Sequence, residues 1–191
     1  MFDLSDRSKK VFNPLNVNAN SIIEFSAGPL SNNGIYRFKK IVEFSINESK
    51  YSRYLLYSKV DDDEYVMEVH TGNNNCIETY IYYLSDTVPF SEEFLEVVGQ
   101  KFLTTPDGFE FERTIMPYKE ERIDGAQAKV KIYDIETDRT EKQLVVNLWD
   151  YQRDAEGITE YLNIEMSEET GLFKIFVGEG IEDIFYKIYQ S

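Results

Sequence analysis

The chain has 191 residues, with 20 Lys and Arg against 35 Asp and Glu and a net charge of −15. Its 42% hydrophobic and 29% charged content is that of a folded globular chain, which excludes wholesale disorder. The acidic balance repels phosphate backbones and excludes direct nucleic-acid binding as an expectation.

The opening residues MFDLSDRSKK place Asp3 and Asp6 ahead of Lys9 and Lys10, with no apolar run behind them. A cleaved secretory signal needs the reverse order and about 7–15 apolar residues. No window approaches the ~20 apolar residues of a spanning helix. Cys76 is the sole cysteine, so no intramolecular disulfide can form. These features predict a cytoplasmic protein without a membrane span. Charge is unevenly divided, at +4 over residues 1–60 and −19 over 61–191. The first reading is that the basic segment evens out the acidic remainder; the second is that an acidic surface attracts a basic partner.

In chain order, residues 1–21 are rich in Asn and Ser and read as an irregular leader to one globular domain over 22–191. Ile22–Ser26 reads as a short strand, followed by turn signals at Gly28-Pro29 and Asn33-Gly34. Ile35–Ile46 reads as a strand with Val42, Phe44 and Ile46 on one face. Arg53–Val60 follows, closed by Asp61-Asp62-Asp63. Glu64–His70 alternates, with Tyr65, Met67 and Val69 against Glu64, Glu68 and His70. After a turn at Gly72–Asn75 comes Ile77–Leu84. Ser91 then caps a predicted helix over 91–101, with acids in its first turn and Phe94, Leu95, Val97 and Val98 near one side. Asp107-Gly108 marks a turn before a strand near 109–116, and a loop is predicted from Pro117 to Gly125. Ala128–Ile135 with Gln143–Tyr151, and Ile158–Met166 with Leu172–Val177, read as two hairpins. Ile181, Ile184, Phe185, Ile188 and Tyr189 recur at helical spacing and predict a C-terminal helix.

This order predicts an α+β fold, mainly antiparallel β, with helices covering a sheet face. Segments 35–101 and 128–189 each run as four strands and a helix, so two similar halves packed as one unit are an option. The same order also arises whenever a meander is closed by a helix. Leu144, Val146 and Leu148 alternate with Val145, Trp149 and Tyr151, which predicts a central strand covered on both faces.

Chemistry-bearing patterns are sparse. His70 is the sole histidine and reads as a solvated strand-end residue; Cys76 has no basic neighbour in sequence to activate it. One Cys and one His rule out a standard zinc site. Asp61–Glu64 and Asp134–Asp138 are acidic, but neither has the spacing of a calcium loop, and both read as turns. Gly178-Glu179-Gly180 reads as the start of the last helix, because an acid between the glycines repels phosphate. No cofactor, metal or catalytic residue is expected. The fourteen Tyr and thirteen Phe are the remaining oddity. Glu78, Tyr80 and Tyr82 share a strand face and form the candidate interaction surface, since an exposed Tyr stripe suits protein recognition.

Ile81-Tyr82-Tyr83-Leu84-Ser85-Asp86-Thr87-Val88-Pro89, the helix after it, and Asp107-Gly108-Phe109-Glu110-Phe111-Glu112-Arg113 together resemble the YjfK-like bacterial proteins. The resemblance covers about a third of the chain and rests on strand and turn residues. It implies a bacterial source, a cytoplasmic location and a non-enzymatic role beside envelope-stress proteins; it carries over no activity or site residue. The functional expectation is a binding or accessory module acting through an unidentified protein partner. One alternative is an enzyme or small-ligand binder using carboxylates and Tyr in a cleft between the halves. Another is an acidic inhibitor of a basic, nucleic-acid-binding partner.

Overall fold

In the computed structural model, residues 17–28, 30, 34–58, 65–71, 76–114, 125–137 and 139–190 are described. Their strands are β1 (Ile22–Phe25), β2 (Ile35–Ile46), β3 (Ser49–Tyr57), β4 (Tyr65–Thr71), β5 (Ile77–Pro89), β6 (Phe102–Thr104) and β7 (Glu110–Arg113). After these come β8 (Ala126–Asp134), β9 (Arg139–Ala155), β10 (Ile158–Ser167), β11 (Leu172–Gly180) and β12 (Tyr186–Tyr189). One α-helix, α1 (Glu92–Val98), lies between β5 and β6.

Eight of the strands close on themselves. The ring runs β2-β3-β4-β5-β11-β10-β9-β8, and β8 returns to β2 with Lys40 opposite Asp134 and Ser45 opposite Lys129. Every pair is antiparallel. The meanders β2–β5 and β8–β11 therefore meet twice, at β2/β8 and at β5/β11, and enclose one lumen. Closure removes the exposed edges that an open sheet would leave.

Three bulges decide which residues face the lumen. Lys39 has no partner in the β2–β3 register, Ser85 none in β5–β11 and Glu141 none in β8–β9. An extra residue inverts the alternation beyond it. In β2, Tyr36 and Phe38 pack outside the ring, while Val42 and Phe44 line its interior. Two covers bury the outer apolar positions. β1 and β12 lie over Tyr54, Leu56, Met67 and Ile81. On the other side α1, β6 and β7 lie over Trp149, Leu162, Ile164 and Phe173.

The expected α+β class is overturned: the fold is a closed antiparallel β-barrel, and the opposite wall does the work assigned to covering helices. The first helix forms where its cap predicts, with the Phe94 amide donating to Ser91 Oγ at 3.1 Å. It stops at Gly99, and Val97 remains exposed. The C-terminal helix does not form. Residues Asp183–Phe185 make a 3-10 turn, and Tyr186–Tyr189 pair with the outer edge of β1. Ile, Phe and Tyr favour an edge strand over a nine-residue helix, and pairing satisfies the backbone groups of β1. Ile184, expected on an apolar stripe, is 68% exposed. Gly178-Glu179-Gly180 accordingly belongs to the end of β11 rather than to a helix start.

The two hairpins of the second half form as expected, and β9 is covered on both faces. The predicted turns at Asp61–Asp63 and Gly72–Asn75, the loop over 117–124 and residues 1–16 of the leader lie outside the described residues.

Candidate functional site

An ion cluster divides the lumen. Arg53 points inward from β3 and is 3% exposed. Its Nε donates to Glu68 on β4 and its Nη1 to Glu165 on β10. The rings of Phe44, Tyr51, Tyr82 and Phe176 surround it, their centroids 4.8, 5.7, 5.5 and 5.6 Å from the guanidinium carbon. A buried cation persists only when paired and hydrogen-bonded, and both conditions are met here. Burial alone would lower the Arg53 pKa; the Glu68 carboxylate reverses this and keeps it charged. Burial alone would likewise raise the Glu68 pKa. The charge of Arg53 and the contact with His70 overcome it and hold that carboxyl below its ordinary value.

The cluster is built from cross-strand neighbours. Phe44 lies opposite Tyr51, and Tyr51 opposite His70. Their rings stack at centroid distances of 4.7 and 4.6 Å, with interplanar angles of 4° and 14°. His70 Nε2 lies 2.5 Å from Glu68 Oε1. Such directly opposed pairs are the unit of sheet stabilisation.

On one side of Arg53 lies a cavity of about 420 Å³. Its walls are Val42, Leu55, Val66, Val130, Leu144 and Phe176, among others. Its polar lining holds Lys39, Lys40, Lys142 and Lys174 with Arg53, against Glu165 as the one acid. At the rim Lys40 pairs with Glu141 at 2.6 Å and Lys142 with Glu169 at 2.8 Å. In a chain of net charge −15 this concentration of cations stands apart. A mostly apolar concavity with a few convergent charges is the usual form of a small-molecule site.

On the other side lies a cavity of about 320 Å³. It is lined by Glu68, His70, Glu78, Tyr80, Tyr82, Asp150 and Tyr161, among others. Tyr80 and Tyr161 meet edge to face at 5.0 Å. The Tyr80 hydroxyl donates to Glu78 at 3.2 Å, and burial followed by the Glu78 charge pushes its pKa up. Burial and then the Glu68 charge likewise raise that of Tyr82 well above the ordinary phenol value. Gly178 sits opposite Tyr82 on β11. A Cβ there would stand 2.3 Å from the Ile81 carbonyl oxygen and 2.6 Å from Tyr82 Cδ1. The missing side chain at 178 is what lets the Tyr82 ring settle against the wall.

The structure brings together all three residues of the candidate surface, Glu78, Tyr80 and Tyr82, but on the inner wall. Tyr82 is 6% exposed. His70 is on the same wall, not on a solvated face. Cys76 is exposed. The Asp134 carboxylate accepts the Thr137 amide and hydroxyl at 2.7 and 2.9 Å, which is an ordinary turn contact. No cluster of metal-ligating side chains occurs among the described residues. The residues missed from the sequence are Arg53, Asp150, Asn163, Glu165 and the rim lysines. Their one signal was a lone cation between Tyr51 and Leu55 on an otherwise apolar strand face.

No helix of the described residues is long and apolar enough to cross a membrane. No protein-family model, curated protein or solved structure matches the chain.

Proposed function

We propose that the protein is a non-enzymatic binder of a small amphiphilic anion, an aliphatic carboxylate or phosphate, held in the lysine-rimmed cavity. The observation that carries this reading is the joining of an apolar wall to four lysines around one half-open space of about 420 Å³. An eight-stranded barrel has room for side chains or for one small ligand. Here the space beyond Arg53 is lined but not filled. The tyrosine face that favoured protein–protein contact turns inward, so support moves to the ligand-binding alternative. The lysine-rimmed cavity differs from that alternative in its lining, which is lysines and apolar side chains in place of carboxylates and Tyr. The outward positions of β8 are Gln127, Lys129 and Lys131, all exposed. A lipid-facing barrel wall avoids such charges, which supports a barrel working in water.

Octanoate titrated into isotope-labelled protein and followed by amide NMR tests the reading. One saturable site is expected, with the largest shifts along Val130, Leu144 and Lys174. Replacing Lys142 and Lys174 together by Ala should weaken it roughly tenfold or more, since each charge-assisted contact is worth about 1.5–3 kcal/mol. Octanol should bind more weakly than octanoate. Absence of saturable shifts on the inner wall sinks the proposal.

A further inference from the structure

The second cavity is chemically the inverse of the first. Its ionisable lining is Glu68, Glu78 and Asp150 with His70, and its walls are tyrosine rings. Glu68 is already engaged by Arg53 and His70. Among the described residues Glu78, which is exposed, has a single polar partner, the Tyr80 hydroxyl.

Asp150 on β9 accepts from Asn163 Nδ2 on β10, which lies behind the cavity wall.

We infer that this end of the barrel is a binding site for a small organic cation, an alkylammonium or short diamine. Three features select that class. Carboxylates on the wall favour a ligand that donates and carries positive charge. Tyrosine faces attract cations and cover methylenes. The acids are too dispersed for a metal ion, since the described residues hold no cluster able to ligate one. A cavity of about 320 Å³ suits a ligand with its charge at one or both ends of a short chain. The ammonium takes Glu78 and Asp150, and the chain lies on Tyr80 and Tyr161. This site is separate from the anion cavity and does not rest on that reading.

The test is calorimetric titration of the full chain with 1,4-diaminobutane, repeated with butylammonium, magnesium chloride and sodium butyrate. Saturable one-to-one binding of the diamine or of butylammonium is expected, and butyrate should displace neither. Glu78→Gln and Tyr161→Leu should each weaken it, the first by about tenfold, which corresponds to loss of one charge-assisted contact of ~1.4 kcal/mol. Glu78 is exposed, so its variant tests the site without testing the fold. The double Lys142→Ala, Lys174→Ala variant should bind the diamine as the parent does. Failure of both amines to bind folded protein overturns the inference. So does magnesium binding as tightly as the diamine, or an unchanged affinity in Glu78→Gln.

Discussion

The two ends of the lumen belong to one barrel, yet one is apolar and lysine-rimmed and the other is acidic and aromatic. Three strands, β4, β9 and β10, contribute to both. β4 gives Val66 to the first and His70 to the second; β10 gives Ser167 to the first and Tyr161 to the second. Antiparallel neighbours run in opposite directions, so chain order alone does not separate the ends. What separates them is Arg53 with Glu68 and Glu165 at mid-height. An eight-stranded barrel is narrow enough for one ion cluster to act as a septum. The comparison teaches that polarity along a barrel axis can be set by a single buried group and its partners.

The largest effect should come from removing that group. Arg53→Met keeps an unbranched stem and takes away the guanidinium and its charge. Glu68 and Glu165 are then left facing each other without a cation. Breaking a buried ion pair in this way costs about 3–5 kcal/mol. Urea unfolding should show that loss, and Glu68→Gln with Glu165→Gln in the same background should recover part of it. If Arg53→Met alone matches the parent, the septum is not what holds the ends apart.

Gly178→Ala comes next, and it acts on one end. A Cβ at 2.3 Å from the Ile81 carbonyl oxygen forces a backbone shift rather than a rotamer change. Overpacking of this kind costs about 1–3 kcal/mol. Tyr82 should move with it, which nuclear Overhauser contacts between Tyr82 and Phe176 would register. The resonances of Val130 and Leu144 in the opposite cavity should stay in place. Shifts of equal size at both ends would show that the septum transmits strain instead of isolating it.

The sequence made the strands legible but not the side on which each face would lie. Tyr65, Met67 and Val69 against Glu68 and His70 is the pattern of a half-solvated strand. In the barrel the polar face turns into the lumen, where Arg53 on the adjacent strand supplies its counter-charge, and Met67 and Val69 are buried beneath the outer cover. Alternation gives the period and not the direction. Closure was also hidden. It depends on β8 pairing with β2, whose registered residues Val42 and Ile132 lie far apart in sequence. The bulge at Lys39 is invisible to a period-two reading, since it changes the phase within one run of strand-forming residues. The C-terminal stretch failed for a different reason. Its spacing fits a helix, but the free edge of β1 offered its backbone a partner. Glu78, Tyr80 and Tyr82 read as a group because they sit on one face of one strand, whereas Asp150 and Glu165 reach the lumen from other strands.

Acid separates the septum from the rim. The Glu68 carboxyl is held below its ordinary pKa of 4.5 in the folded chain, burial being outweighed by Arg53 and His70. A group depressed on folding stabilises the fold above its unfolded-state pKa, and that contribution is lost as the pH falls through the folded value. Stability should therefore decline as the pH drops below about 4.5, and Glu68→Gln should flatten that part of the profile while lowering the plateau at neutral pH. Denaturant midpoints at a series of pH values give the answer. An unchanged acid limb in Glu68→Gln would assign the decline to other carboxylates.

The smallest effect belongs to the rim of the basic cavity, and it sharpens the contrast most directly. Lys142 and Glu169 meet at 2.8 Å, but their side chains are 43% and 57% exposed. Water and salt screen such a pair, and exposed pairs contribute about 0–1 kcal/mol. Lys142→Ala should leave the urea midpoint within the range expected of an ordinary surface change, both in low salt and in about 0.5 M salt, where the Debye length is only a few ångströms. The same substitution should nonetheless weaken octanoate, because a bound anion inside the cavity is less screened than Glu169 outside it. Lysines that matter for stability as much as Arg53 does would mark the rim as part of the framework. Lysines that are dispensable for folding but needed for the anion would place all the structural charge in the septum and leave the rim for ligand.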